Sequence, residues 1–309
     1  MNVLANQTIS YLAKRFAESG VRLNTRHGQN FLVDMNLLRL LIERANLGPN
    51  DVVLEVGTGT GSLTGIMAPQ VAAVVTVEID EQLFQLAREE LFSLPNVTML
   101  GFDALKNKST FDPRVLAALR QHLAAGPNRR LKLVANLPYS VATPVIANLL
   151  NVPEEPGESS LLPTSMTFTV QKEMGDRLAA APGTKDYGAL SIWVQSQCRV
   201  ECTRILPPGV FWPRPKVHSA IMHLDVDQEL RSRITDLDFF HHFARSLFLH
   251  RRKFLRSELI SVLKGEVDKP GVDAILAETG LSPELRAEQL SVETILNLAA
   301  AVRRATAQL

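Results

Sequence analysis

Five short runs of β-branched and apolar residues, each followed by a segment of helical length, constrain this chain more than any other feature. They are Val52–Val56, Val71–Ile79, Val97–Leu100, Leu131–Ala135 and Ser165–Val170. Strands that are apolar on both faces and alternate with helices specify a parallel sheet covered on both sides. Two further runs, Leu190–Val200 and Ser219–Leu224, follow each other without a helical pattern between them. They are expected to form an antiparallel pair at one edge. The fold class is therefore α/β, a doubly wound, Rossmann-like sheet. Upstream, Phe31–Ala45 has helical spacing, with Asp34 placed to cap it.

The strand signal stops near Asp225. Helices are expected over Leu237–Leu249, Arg252–Leu263, Val272–Glu278, Pro283–Glu288 and Val292–Ala307, with Pro270-Gly271, Gly280 and Pro283 as punctuation. Two domains follow: residues 1–225, carrying the sheet, and a smaller all-helical domain, 226–309. The polar stretch Val152–Ser160 reads as a surface loop.

Among the 309 residues, 33 Lys+Arg against 32 Asp+Glu give a formal charge of +1, so any contact with nucleic acid must come from local clusters. Two exist: Arg204, Arg214 and Lys216, and then Arg245, Arg251, Arg252, Lys253 and Arg256. The second reads as a cationic helix face suited to phosphates. No apolar stretch approaches the roughly 20 residues that cross a bilayer. Met1–Gln7 lacks the basic and apolar regions of a secretory signal. Cys198 and Cys202 fit neither a disulfide framework nor a zinc knuckle, and the histidines show no metal spacing. The expectation is a cytoplasmic protein without a metal.

The first run leads directly into Gly57-Thr58-Gly59-Thr60-Gly61. A strand, a glycine-rich turn and a helix start bring backbone close to a ligand over the helix N-terminus. Ser62 stands where the dinucleotide fingerprint places its third glycine, which disfavours NAD. Glu78 ends the next run, 21 residues beyond Gly57, where a carboxylate accepts from ribose hydroxyls. Asp103 follows the third run, placed to accept from an exocyclic adenine amine, with Phe102 or Ala104 beside the ring. Taken in order, these three positions are the layout of a class I S-adenosylmethionine (SAM) site.

The fourth run ends in Asn136-Leu137-Pro138-Tyr139. The N6 amine of adenine is a poor nucleophile because its lone pair is delocalised into the ring. Two acceptors aimed at its hydrogens would pyramidalise the nitrogen and free that pair. The Asn136 side chain supplies one, and the Leu137 or Pro138 carbonyl the other. Pro138 adds no competing N–H, and Tyr139 offers a face for the base.

These residues, with Arg26–Leu32, Val77–Asp80, Gln171–Glu173, Tyr187–Ser191 and Phe211–Val217, resemble the rRNA adenine dimethyltransferase family. Arg251–Lys253 and Arg286–Ser291 resemble its KsgA (RsmA) branch rather than the Erm-type enzymes acting on large-subunit rRNA. The resemblance implies SAM contacts at Asn30, Leu32, Gly57, Glu78, Asp103 and Asn136, with Gln29 and Phe31 helping to close the site. It implies catalytic positions at Asn136, Leu137, Pro138 and Tyr139, and at Phe211, stacking on the far face of a flipped adenine. The implied reaction is N6,N6-dimethylation of two adjacent adenosines in the 3′-terminal hairpin loop of 16S small-subunit rRNA, leaving S-adenosylhomocysteine. The implied partner is the immature small subunit, and a monomer is expected. An assembly checkpoint that holds immature subunits is the reading from another class. Ser140, Ala142, His27, His218 and a loop over Pro153–Pro163 depart from the pattern without removing a catalytic group.

Overall fold

The computed structural model describes residues 9–20, 29–152 and 157–307. The expected entry residues Arg26, His27 and Gly28, the leading heptapeptide, and residues 153–156 of the Pro-rich loop lie outside them.

Seven strands form the main sheet: β1 (Asp51–Val56), β2 (Ala73–Val77), β3 (Val97–Leu100), β4 (Arg130–Asn136), β5 (Ser165–Gln171), β6 (Cys198–Leu206) and β7 (Ser219–Val226). Their order is β3-β2-β1-β4-β5-β7-β6. The first five are mutually parallel, and β7 runs antiparallel to β5. The β-branched runs lie inside because helices cover both faces: Val52, Val53, Val74, Val75 and Val134 have no exposed surface.

Helices α1 (Ile9–Ser19), α2 (Met35–Ala45), α3 (Ser62–Met67), α4 (Glu81–Leu91), α5 (Pro113–Ala124) and α6 (Ala142–Leu149) accompany this sheet. Asp34 does cap α2, its Oδ1 accepting from the amides of Asn36 at 2.9 Å and Leu37 at 3.2 Å. The helix begins later than its apolar spacing suggests, because Phe31–Leu32 forms a two-residue strand against Phe211–Trp212. Leu38, Leu41 and Ile42 of α2 pack with Val53, Val134 and Ile221 of the sheet.

The chain divides into two compact units, 1–175 with 201–225 and 176–200 with 226–309. Residues 176–200 join the C-terminal helices through specific contacts. The buried Tyr187 hydroxyl donates to the Leu290 carbonyl at 2.9 Å. The Trp193 ring lies 6.3 Å from Phe240 and 4.5 Å from His241. Here the expected strand Leu190–Val200 needs correction: Ala189–Gln195 is helical, and β6 starts at Cys198. Ser191 Oγ accepts from the Gly188 amide and donates to the Arg177 carbonyl, which starts the helix. Ser191, Ile192, Trp193 and Val194 are all buried, and a short helix apolar on every side has the pattern of a buried strand.

The second unit otherwise consists of helices Gln228–Ser232, Leu237–Leu247, Leu255–Val262, Lys269–Thr279 and Val292–Thr306. Arg252–Lys253, expected on a helix, sits in the turn before Leu255. No helix among the described residues is long and apolar enough to cross a membrane.

Candidate active site

Parallel strands deliver the residues that follow them to one edge of the sheet, where ligands of open α/β folds bind. Gly57 follows β1, Glu78 follows β2, Asp103 lies shortly after β3, and Asn136 ends β4. All four line one cavity, with about 980 Å³ of empty space including its mouth.

The glycine turn is shaped by its surroundings. Gly57 has φ +88° and Gly59 φ +57°, both in the left-handed region. The amides of Gly57 and Thr58 donate to the Val77 carbonyl, at 2.8 and 3.3 Å, tying the turn to β2. The Gly59 amide donates to Glu78 Oε2 at 2.8 Å, and the Asp80 amide to Oε1 at 2.9 Å. Burial pushes the Glu78 carboxyl above its usual range, and these backbone donors oppose the shift. Glu78 is thus held rigidly with acceptor capacity left over. Asp103 is exposed at the cavity and accepts from the Leu105 amide at 2.9 Å. Phe102 lines the same wall, and the Arg114 guanidinium sits 3.6 Å from its ring centroid. Asp112 holds that guanidinium with two side-chain hydrogen bonds, at 2.9 and 2.7 Å.

The same cavity is lined by Asn136, Leu137, Pro138 and Tyr139. Asn136 Nδ2 donates to the Asn30 carbonyl at 2.8 Å, and its Oδ1 accepts from Thr169 Oγ1. The Tyr139 hydroxyl and Ser219 Oγ are 2.6 Å apart, and burial raises the phenol above its ordinary value. The Pro138 carbonyl accepts from the Val141 amide at 3.1 Å. Gln29, Asn30 and Phe31 reach the cavity from the entry segment, and Gln29 Nε2 donates to Asp80 Oδ2 at 3.0 Å.

Two expected site residues stand elsewhere. Phe211 is 2% exposed and Leu32 4% exposed; both belong to the core cluster with Leu38 and Leu41, and neither lines the cavity. They face each other across the short ribbon, Leu32 opposite Phe211 and Phe31 opposite Trp212. The Phe211 ring is therefore a brace for the entry segment and offers no face to a base in this structure. An aromatic in a Pro-rich loop looks exposed until this pairing is known.

Other residues were missed. Glu55, in the middle of β1, is 1% exposed, and its Oε2 accepts from the hydroxyls of Thr64 and Thr76. Thr76 in turn lies 2.6 Å from Thr58 Oγ1, within the glycine turn. Burial raises the Glu55 carboxyl to about 8 against the lowering effect of the two threonines, with nearby Glu78 adding to the rise. A charged residue inside an apolar run was the available signal. Nothing local marks Thr169 or Ser219.

The basic clusters are partly spent within the protein. Arg251 pairs with Glu288 and donates to the Lys185 carbonyl at 2.8 Å. Arg256 makes two hydrogen bonds to Asp273, and Lys253 lies 3.8 Å from Glu258. Arg204, Arg214, Lys216, Arg245 and Arg252 are exposed and make no ion pair among the described residues.

Sheet order, glycine turn and acids after successive strands together define a class I SAM-dependent methyltransferase carrying a smaller helical region. The chain belongs to the ribosomal RNA adenine dimethylase family, whose model matches residues 20–303. It is 38% identical over 275 residues to the ribosomal RNA small subunit methyltransferase A of Halothermothrix orenii, covering 88% of this chain and 86% of that one. The protein of the same name from Caldanaerobacter subterraneus is 36% identical over 282 residues, covering 91% and 98%. Among solved structures, a dimethyladenosine transferase from Plasmodium falciparum superposes with a TM-score of 0.71 at 23% identity, covering 88% of this chain and 97% of that one. The 23S rRNA methyltransferase ErmE superposes with a TM-score of 0.60, also at 23% identity, covering 88% and 99%. These two likenesses show the fold.

Proposed function

We propose that this enzyme uses SAM to place two methyl groups on N6 of each of two adjacent adenosines in the 3′-terminal hairpin loop of 16S small-subunit rRNA. The observation that carries the reaction is that the Asn136–Tyr139 turn lines the same cavity as Glu78 and Asp103. The choice of small-subunit RNA is supported by the name shared by the curated relatives. An rRNA substrate makes the cytoplasm the place of action.

The chain's residues fit the cofactor. Glu78, fixed by the amides of Gly59 and Asp80, accepts from ribose hydroxyls. Asp103 accepts from the adenine amine while Phe102 packs on the ring. Gly57, without a side chain, admits the ligand against backbone, and Asn30 with Gln29 closes the mouth. When bound, SAM supplies an electrophilic methyl group on a sulfonium centre.

In the first transfer Asn136 Oδ1 and the Leu137 carbonyl accept from the two N6 hydrogens of the target adenine; in the second, one of them holds the single hydrogen that remains. The Pro138 carbonyl already accepts from the Val141 amide, which makes the Leu137 carbonyl the less encumbered second acceptor. Together they localise the nitrogen lone pair and aim it at the methyl carbon, where orientation contributes most to rate. The proton leaves after attack, once N6 is cationic, so no base is needed beforehand. Stacking on Tyr139, worth about 1–3 kcal/mol per base, offsets the few kcal/mol spent in extruding the adenine. Ser219 fixes the tilt of that ring through the Tyr139 hydroxyl. Exposed Arg204, Arg214, Lys216, Arg245 and Arg252 serve the phosphate backbone.

The test is methyl transfer from labelled SAM to small subunits isolated from a strain lacking the modification, with large subunits in parallel. Dimethyladenosine mapped to the small-subunit 3′ hairpin is the expected product. Label confined to large subunits would replace this reading with an Erm-type one. SAM binding without transfer to either would point to a binding factor.

A further inference from the structure

Parallel pairing of β4 with β5 sets Asn136 directly beside Thr169 in register, with both side chains on one face. Thr169 has no exposed surface. Its hydroxyl donates to Asn136 Oδ1, and the other end of the amide donates to the Asn30 carbonyl at 2.8 Å. A backbone carbonyl can only accept, so the amide nitrogen must face Asn30 and the oxygen must face Thr169. The two contacts leave the amide a single orientation, and Oδ1 retains one lone pair.

We propose that Thr169 is a positioning residue for methyl transfer: its hydroxyl fixes the Asn136 amide so that the remaining Oδ1 lone pair meets an N6 hydrogen of the target adenine. This rests on the reading of Asn136 given above. Thr169 is suited to the role because its branched Cβ restricts χ1 and its strand position is fixed by the ladder. Without the hydroxyl, Oδ1 loses the contact that sets its direction. The amide can then pivot about its bond to Asn30, and the acceptor is misplaced at the moment of attack.

Thr169→Val keeps the shape and removes only the hydroxyl; Thr169→Ser keeps the hydroxyl and removes a methyl. With undermethylated small subunits and labelled SAM, Thr169→Val is expected to lower kcat roughly tenfold to a hundredfold, the scale of a small misplacement. The dissociation constant for SAM should stay within about twofold, because the amide's tie to Asn30 remains. Thr169→Ser should recover kcat to within about threefold of the parent enzyme, although its lost methyl costs stability. A purely structural threonine gives the opposite ranking, with Val the milder change. If Thr169→Val does not fold, Thr169→Ser against Thr169→Ala isolates the same hydroxyl.

The inference is overturned by parental kcat in Thr169→Val, or by a Ser variant no faster than its hydroxyl-free counterpart. Asn136→Ala, assayed beside them, separates the two levels. An inactive Asn136→Ala with an unaffected Thr169→Val removes only the role of Thr169. An active Asn136→Ala removes the reading of the site and the Thr169 proposal with it.

Discussion

Pro138 stands where a side chain on Gly57 would have to go: a Cβ built on Gly57 would lie 3.1 Å from both Cγ and Cδ of the proline. This close approach brings the glycine turn after β1 beside the Asn136–Tyr139 turn after β4. Gly57 is thus fixed twice, by its φ of +88° and by its neighbour. Gly57→Ala should cost about 1–3 kcal/mol of stability through backbone strain, and weaken SAM binding about tenfold or more by pushing the two turns apart. Titration calorimetry with SAM, beside a melting curve, checks both. Unchanged affinity would mean that the turns are not mechanically joined.

Asn136→Ala should abolish methylation while leaving SAM binding weakened but measurable, because Glu78 and Asp103 remain in place. Loss of a group acting on the reacting centre costs about 10²–10³ in rate at comparable sites. Tyr139→Ala should lower turnover more than RNA affinity. Tyr139→Phe, which keeps the ring and gives up the Ser219 bond, should fall between Ala and the parent. Single-turnover assays with RNA in excess, beside filter binding, separate the two effects.

Much of this was legible in the sequence, and most of what was not depends on pairing between distant segments. Val52–Val56 and Leu131–Ala135 announced their strands because burial on both faces keeps them apolar apart from Glu55 and Lys132. Glu78, Asp103 and Asn136 were legible because a doubly wound sheet sends every residue after a parallel strand to the same edge. Thr169 and Ser219 were not, being 33 and 80 positions from the residues they hold. Strand register sets Thr169 beside Asn136, and Ser219 meets the turn after β4 only once the sheet is formed. Phe211 and Leu32 pair in a two-residue ribbon between distant segments, which no local pattern marks. Ala189–Gln195 failed differently, because a short helix buried on all sides has no polar face to mark its period.

Glu55 makes the stability of the sheet depend on pH. Burial raises its carboxyl from 4.5 to about 8. A raised folded-state value means that the neutral form is favoured in the fold. The contribution is therefore complete below the unfolded value near 4.5 and disappears as pH climbs through about 8. Glu55→Gln keeps an acceptor for Thr64 and Thr76 and carries no titrating proton. Its melting temperature relative to the parent should rise between pH 6 and pH 9. Scanning calorimetry across that range is the measurement, and parallel curves for the two proteins would show that Glu55 is not neutral in the fold.

Ion pairing divides the cationic residues from Arg245 to Arg256 into two kinds, and their variants should behave differently. Arg251 is engaged by Glu288 and by the Lys185 carbonyl, so Arg251→Ala should lower stability more than RNA affinity. Arg252 is exposed in the turn before Leu255, beside the exposed side chains of Leu249 and Phe254. Its removal should leave the melting temperature within about a degree, as for most surface changes away from packing or ion pairs. It should also lower affinity for small-subunit RNA and reduce the slope of log affinity against log salt by about 1, the signature of one lost phosphate contact. Arg245→Ala should do the same, and the two losses should add if each residue meets its own phosphate. Binding measured at several salt concentrations decides it. A slope unchanged in both variants would remove this face of the helical unit from the RNA interface and leave Arg204, Arg214 and Lys216 to carry it.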